Sequence, residues 1–161
     1  MSVVLVEGIT DRLALEAVAR RLELSLREIE IVPIGGAQAI RRAFVEYEGQ
    51  RAAGLCDAGE ERWFRRVLGD ATYVCEADLE DELIRALGAE RVQDVVAAQG
   101  ELETFRSFQN QVFWRGRPVE RQLRRWLQNG GRYLRYPPLL VEAMEQNEIP
   151  RPLADVLAAV A

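Results

Sequence analysis

The sequence predicts an α/β fold, a parallel sheet of about four strands flanked by helices and followed by a C-terminal helical extension. Short apolar runs alternate with longer stretches of helical period through the first half of the chain, the pattern of strands joined by crossover helices. Each run closes on a glycine or an acid, where a parallel sheet turns into its next helix. From Asp78 onward the strand-like runs stop and helical periodicity takes over.

Residues 3–6, Val-Val-Leu-Val, form the first expected strand, ending at Glu7 and Gly8. Residues 10–22 place Leu13, Leu15, Ala17, Val18 and Leu22 on a broad apolar stripe, the mark of an amphipathic helix packed on a sheet. Residues 29–34 read as the second strand. Gly35-Gly36 then turns into a helix running to about Glu48. Residues 52–56 are a small-residue third strand ending at Asp57, a third helix runs through Leu68, and residues 72–75 make the fourth strand. Helical segments are expected at 79–87, 90–98, 101–109, 117–128, 137–146 and 151–160. With no linker-like break and no internal repeat, residues 1–87 and 88–161 are expected to be an α/β domain and a helical extension packed on it as one unit.

Composition narrows the chemistry. The 161 residues include no His and no Lys, so all 21 basic side chains are Arg. Ser/His and Cys/His nucleophilic pairs, His-bearing zinc sites, lysine Schiff bases and the phosphate-binding lysine of a Walker-type ATPase are thereby excluded. Cys56 and Cys75 sit in apolar runs and read as buried strand residues. Carboxylates, arginines, hydroxyls and a bound metal remain as chemical tools. No stretch approaches the roughly 20 apolar residues of a membrane span, and the first residues lack the basic start of a signal peptide. A cytoplasmic protein without membrane association is the expectation.

Charge is unevenly distributed under the overall net of −5. Residues 1–104 carry 12 Arg against 21 acids, whereas residues 105–136 carry 8 Arg against Glu120 alone. That basic segment interleaves arginine with Phe105, Phe108, Phe113, Trp114, Trp126, Tyr133 and Tyr136. Guanidinium groups hold phosphates and rings stack on bases, so the composition suits a nucleic-acid surface. Arg115 and Arg117 on a loop, with Arg132 and Arg135 beside the Asn129-Gly130-Gly131 turn, are the candidate contacts. The competing reading puts Phe108, Trp126 and Leu127 in the core and leaves the arginines to water or to acidic partners.

Ligands of an open parallel sheet bind beyond the carboxyl ends of its strands. The acids lie there: Glu7 after the first strand with Asp11 one turn on, Asp57 after the third with Glu60 three residues on, and Asp78, Glu80, Asp81 and Glu82 after the fourth. Carboxylates gathered in this way raise one another's pKa unless a cation sits among them, and an oxygen-preferring ion such as Mg²⁺ answers that need. A structural alternative stays open. Asp57-Ala58-Gly59-Glu60 fits a capping box, and Asp11 and the 78–82 acids suit first turns of helices. Gly35-Gly36 is also a candidate phosphate cradle at a helix start.

Four segments in order, Val4-Leu5-Val6-Glu7-Gly8-Ile9-Thr10-Asp11, Val32-Pro33-Ile34-Gly35-Gly36, Gly54-Leu55-Cys56-Asp57-Ala58-Gly59-Glu60 and Asp78-Leu79-Glu80-Asp81, resemble a TOPRIM domain. This is the metal-binding module of topoisomerases, primases and certain nucleases. The nearest flavour is that of the overcoming-lysogenization-defect (OLD) endonucleases, which join it to an ABC-type ATPase, and the resemblance spans about residues 1–87.

The resemblance implies a TOPRIM-like Rossmannoid sheet and divalent-metal-dependent phosphodiester hydrolysis of nucleic acid, DNA ahead of RNA, using Mg²⁺ or Mn²⁺. Glu7 and Asp57 take the catalytic positions. Glu7, Asp11, Asp57, Glu60, Asp78 and Glu80 form the implied metal set. Gly59 stands where the family motif has its second Asp, and the family's later basic residue, usually Lys, has no lysine here to match it, so Arg132 or Arg135 is the expected substitute. The ATPase half is missing from this sequence, which implies a stand-alone protein or one chain of a pair with a separate ABC-type ATPase; a homodimer is a further expectation. Two alternatives accompany this reading: a non-catalytic module that binds nucleic acid or the ATPase, and primase-like nucleotidyl transfer on the same acids.

Overall fold

The computed structural model describes residues 1–161 and places four parallel strands in the order β2-β1-β3-β4. The strands are β1 (Ser2–Val6), β2 (Ile29–Pro33), β3 (Arg51–Asp57) and β4 (Thr72–Cys75). Three helices make the crossovers: α1 (Ile9–Arg21), α2 (Ile40–Val45) and α3 (Glu61–Leu68). Six more follow: α4 (Leu79–Leu87), α5 (Ala89–Ala98), α6 (Leu102–Gln109), α7 (Val119–Leu127), α8 (Arg132–Glu142) and α9 (Arg151–Ala158). No helix is long and apolar enough to cross a membrane.

Period-two alternation along β1 divides its side chains between two cores. Val4 and Val6 join the larger core with α1 and the C-terminal helices, whereas Val3 and Leu5 face α2 and α3 together with Ile40, Cys56 and Phe64. Every residue from Val3 to Val6 is fully buried, as a strand covered on both faces must be. Gly54 explains the small residues of β3. A Cβ there would lie 2.5 Å from Leu68 and 2.7 Å from Phe64, so α3 can seat itself only over a glycine.

The larger core runs without a break from the sheet into the C-terminal helices, taking in Leu15 and Val18 of α1, Leu140 and Val141 of α8 and Leu153 and Val156 of α9. The pairing of α1 with α8 is sealed at its rim by Arg21, whose Nε donates to the Met144 carbonyl at 2.6 Å. The aromatic residues of the basic segment mostly turn inward. Phe105, Trp126 and Tyr136 are buried, with Trp126 edge-on to both rings at 5.4 and 5.6 Å. Phe113, by contrast, is 63% exposed.

Two helices differ from expectation. The second ends at Val45 rather than Glu48, because residues 46–49 curl into a turn closed by Gly49 in the left-handed region at φ 87°. The eighth runs over Arg132–Glu142 rather than 137–146. Pro137 and Pro138 therefore lie inside it, although proline is better suited to a first turn.

Candidate metal and nucleic-acid site

The strand order creates the site. Going from β1 to β2 the chain steps to one side, and going on to β3 it crosses back to the other, so β1 and β3 are neighbours whose helices leave on opposite faces. Such a switch point opens a crevice at the carboxyl ends. The register pairs Val6 with Leu55, so Glu7 leaves β1 level with Cys56 and Asp57 follows one residue on, at the ends of neighbouring strands about 5 Å apart.

An open pocket of about 490 Å³ occupies this crevice, lined by Glu7, Thr10, Asp11, Asp57 and Glu80 with Gly8, Gly35, Gly36 and Leu79. Four of the six metal candidates thus share one cavity. The other two lie aside. Glu60 ends a single 3₁₀ turn after Asp57, near enough to Glu7 to raise its pKa but outside the pocket lining. Asp78 caps α4, accepting from the Asp81 N–H at 2.9 Å, and its other oxygen faces α7.

Electrostatics bind the pocket acids together. Burial chiefly, then the charges of Asp11, Glu7, Asp78 and Glu80, push Asp57 up to about 7. Asp11 is raised to about 6, again mainly by burial, although the Gly8 N–H that it accepts at 3.0 Å pulls the other way. Glu80 is raised by burial and by Asp78, against the opposing pull of Gln128 and Arg124. Glu7 is raised by burial and by Glu60.

The capping alternatives divide. Asp11 serves the backbone at the start of α1 as well as the pocket, and Asp78 is a true cap. Asp57 makes no side-chain capping bond, so the capping-box reading of residues 57–60 is set aside and its carboxylate is free for the crevice. The phosphate-cradle reading of Gly35-Gly36 is corrected too. Both N–H groups donate to the Glu7 carbonyl, at 3.0 and 3.2 Å, and so fix the backbone beneath the Glu7 side chain. Their φ values of 77° and 118° are what this tight return from β2 demands of glycine.

No three carboxylates stand close enough to form a closed ligand cage. The donor set is nevertheless oxygen-only, fourfold acidic and without a cation in its lining, which fits a hard divalent ion that would relieve the mutual repulsion. Gly59 leaves room as well as a vacancy of charge, since a Cβ there meets nothing within 4 Å.

The basic residue beside the acids is one the sequence reading did not single out. Arg124 of α7 reaches Asp78, Nη2 to Oδ2 at 2.6 Å, and Gln128 one turn on donates to the same oxygen at 3.2 Å. Arg132 and Arg135, expected in this role, instead pair with Glu101, which also accepts from the Tyr136 hydroxyl at 2.7 Å. Arg132 additionally lies 4.0 Å over the Trp126 ring. They are braces of the helical region, drawn there by a buried aromatic cluster and one glutamate. Arg115 and Arg117 stay on the exposed loop, donating to the Asn110 and Phe113 carbonyls, with Arg117 4.1 Å from the Phe113 ring. Spacing contained a signal for Arg124: Arg121, Arg124, Arg125 and Gln128 fall at i, i+3, i+4 and i+7, one helical face.

Parallel strands in this order bring an acid at the end of β1, another at the end of β3 and a third at the start of α4 to one edge of the sheet. Residues 1–48 match the family model described as "Overcoming lysogenization defect protein-like, TOPRIM domain". No curated protein matches the chain in sequence. Among solved structures, the C-terminal region of the Burkholderia pseudomallei OLD protein superposes with a TM-score of 0.71 at 16% identity, covering 99% of this chain and 96% of that one. The C-terminal region of the Xanthomonas campestris pv. campestris OLD protein gives 0.72 at 23% identity, covering 99% and 91%. The sequence thus opens with an OLD-like TOPRIM signature, and the whole chain has the fold of an OLD C-terminal region.

Proposed function

We propose that this protein hydrolyses phosphodiester bonds of nucleic acid, DNA ahead of RNA, with Mg²⁺ or Mn²⁺ held by Glu7, Asp11, Asp57 and Glu80. The observation that carries the reading is the convergence of these four acids, from two strand ends and two helix starts, in one open pocket with no cation in its lining. Two of them are pushed up to about 6 and about 7, and a divalent ion would bring them back to the carboxylate form. A bound ion supplies Lewis acidity there, readying a water for attack and offsetting charge on the departing oxygen. In this reading Glu7, the least enclosed of the four, would take the proton of that water on its carboxylate. The Gly35 and Gly36 N–H groups keep its backbone in place. Arg124 orients Asp78 and so the first turn of α4, from which Glu80 projects. An arginine supplies fixed charge and no proton, so protonation of the leaving oxygen falls to water or to a pocket carboxyl.

A second reading is favoured by Gly59 and by the lack of lysine: a module that holds nucleic acid or a partner ATPase without cutting. Supercoiled plasmid incubated with Mg²⁺ or Mn²⁺ separates the two. Relaxed or linear product that disappears with EDTA, Glu7→Gln or Asp57→Asn supports hydrolysis. Intact but retarded plasmid under both metals supports the binding module.

A further inference from the structure

We infer that the exposed face of α7, formed by Arg121, Arg124, Arg125 and Gln128 with Trp114 as its wall, is a binding site for a backbone phosphate of nucleic acid. These five residues line a cavity of about 170 Å³. The inference rests on the nucleic-acid reading above and names the surface that would hold the strand.

The argument begins with what the other arginines do. Of the eight between residues 105 and 136, Arg106, Arg115, Arg117, Arg132 and Arg135 are engaged by glutamine, backbone carbonyls, Glu101 or aromatic rings, and Arg124 by Asp78. Arg121 and Arg125 alone meet no carboxylate, carbonyl, amide or ring. They stand at i and i+4 on one helix, with Arg124 between them, an arrangement in which like charges cost the helix a few tenths of a kcal/mol per pair. Only Arg124 has a counter-charge in the molecule. An anion in the cavity would supply the missing one for the other two, and guanidinium forks suit phosphate oxygens.

Position selects the source of that phosphate. The same α7 face reaches the rim of the carboxylate pocket, because Arg124 and Gln128 both bond Asp78, the cap of α4, two residues before the pocket-lining Glu80. A strand whose scissile phosphate lay among the acids would therefore carry a neighbouring phosphate to Arg121 and Arg125. Trp114 adds a fixed ring. It stacks on Phe108 at 5.1 Å, meets Phe113 edge-on at 4.9 Å, and its carbonyl is held by the Gln122 amide at 2.8 Å, so its exposed side can receive a base without reordering.

The test measures binding of a short fluorescein-labelled DNA duplex by anisotropy across a salt series, with Ca²⁺ present to neutralise the carboxylates. Arg121→Gln/Arg125→Gln is compared with wild type and with Arg62→Gln/Arg66→Gln, which removes the same charge from α3 on the other face of the sheet. Loss of about tenfold in affinity, with a salt slope shallower by about 0.9 for the one lost phosphate contact, is expected for the α7 variant and not for the α3 variant. That result supports the site whether or not wild type cleaves plasmid. Unchanged binding of the α7 variant, equal losses in both variants, or no binding by wild type at low salt overturns it. The cleavage reading is judged separately by its own assay.

Discussion

Arg124 and Asp78, 46 residues apart in sequence, join the helical region to the acidic crevice through a 2.6 Å contact between Nη2 and Oδ2. The Asp78 side chain is 15% exposed and the arginine 43%, so the pair sits at the boundary of the interior. Removing the cation leaves an enclosed carboxylate with Gln128 as its remaining side-chain partner. Arg124→Ala is expected to cost about 1–2 kcal/mol, less than a fully buried pair would, and Arg124→Lys to recover part of it. Urea unfolding at pH 7 with an unchanged m-value checks both.

Asp11 and Asp57 should make the metal-free protein less stable as pH rises. Their folded pKa values, about 6 and about 7, lie above the ordinary 3.8. The folded state therefore holds their protons more tightly than the unfolded chain does. That advantage is complete below about pH 4 and is lost as pH climbs through 6 and 7. The loss is on the order of 3 kcal/mol from Asp11, with a further share from Asp57 that water access to its carboxyl reduces. Thermal unfolding in EDTA should show a midpoint falling across this window in wild type, and a smaller fall in Asp11→Asn/Asp57→Asn. Mg²⁺ should raise the wild-type midpoint at pH 8 and leave the double variant unmoved.

Much of this was legible in the chain. Four strands and their order of acids follow from runs such as Val3 to Val6 closing on Glu7, because a strand buried on both faces admits only apolar residues until it reaches the crevice. Pro137-Pro138 suits a first turn, yet both lie inside α8. Packing of Tyr136 against Trp126 carries the helix back to Arg132 instead. Arg124 was passed over in favour of Arg132 and Arg135 because the choice depends on which arginine meets Asp78 and which meets Glu101. Helical spacing puts Arg124 on one face with Arg121, Arg125 and Gln128, but contacts across 46 and 34 residues decide which acid each arginine meets, and spacing does not carry that.

Gly59→Asp should add a carboxylate without disturbing the fold, since the position is exposed, its φ is not left-handed and the space about its Cβ is open. If residue 59 faces the ion, the variant binds Mn²⁺ several-fold more tightly by isothermal titration. Unchanged affinity would assign no role to the second acid of the motif in this chain.

Gly54→Ala tests the seat of α3. The added methyl would meet Leu68 and Phe64 at distances no packed carbon tolerates, and both lie on one helix backed by a core. A loss of about 1–3 kcal/mol is expected, the usual cost of overpacking. Chemical denaturation measures it directly.

The pairing of α1 with α8 has a consequence for synthesis. Arg21 waits for Met144, 123 residues downstream, before its contact can form. At 5–20 residues per second that interval is on the order of 10 s. Throughout it the apolar stripe of α1 lacks its cover, and the nascent chain presents that stripe to whatever chaperones attend the ribosome.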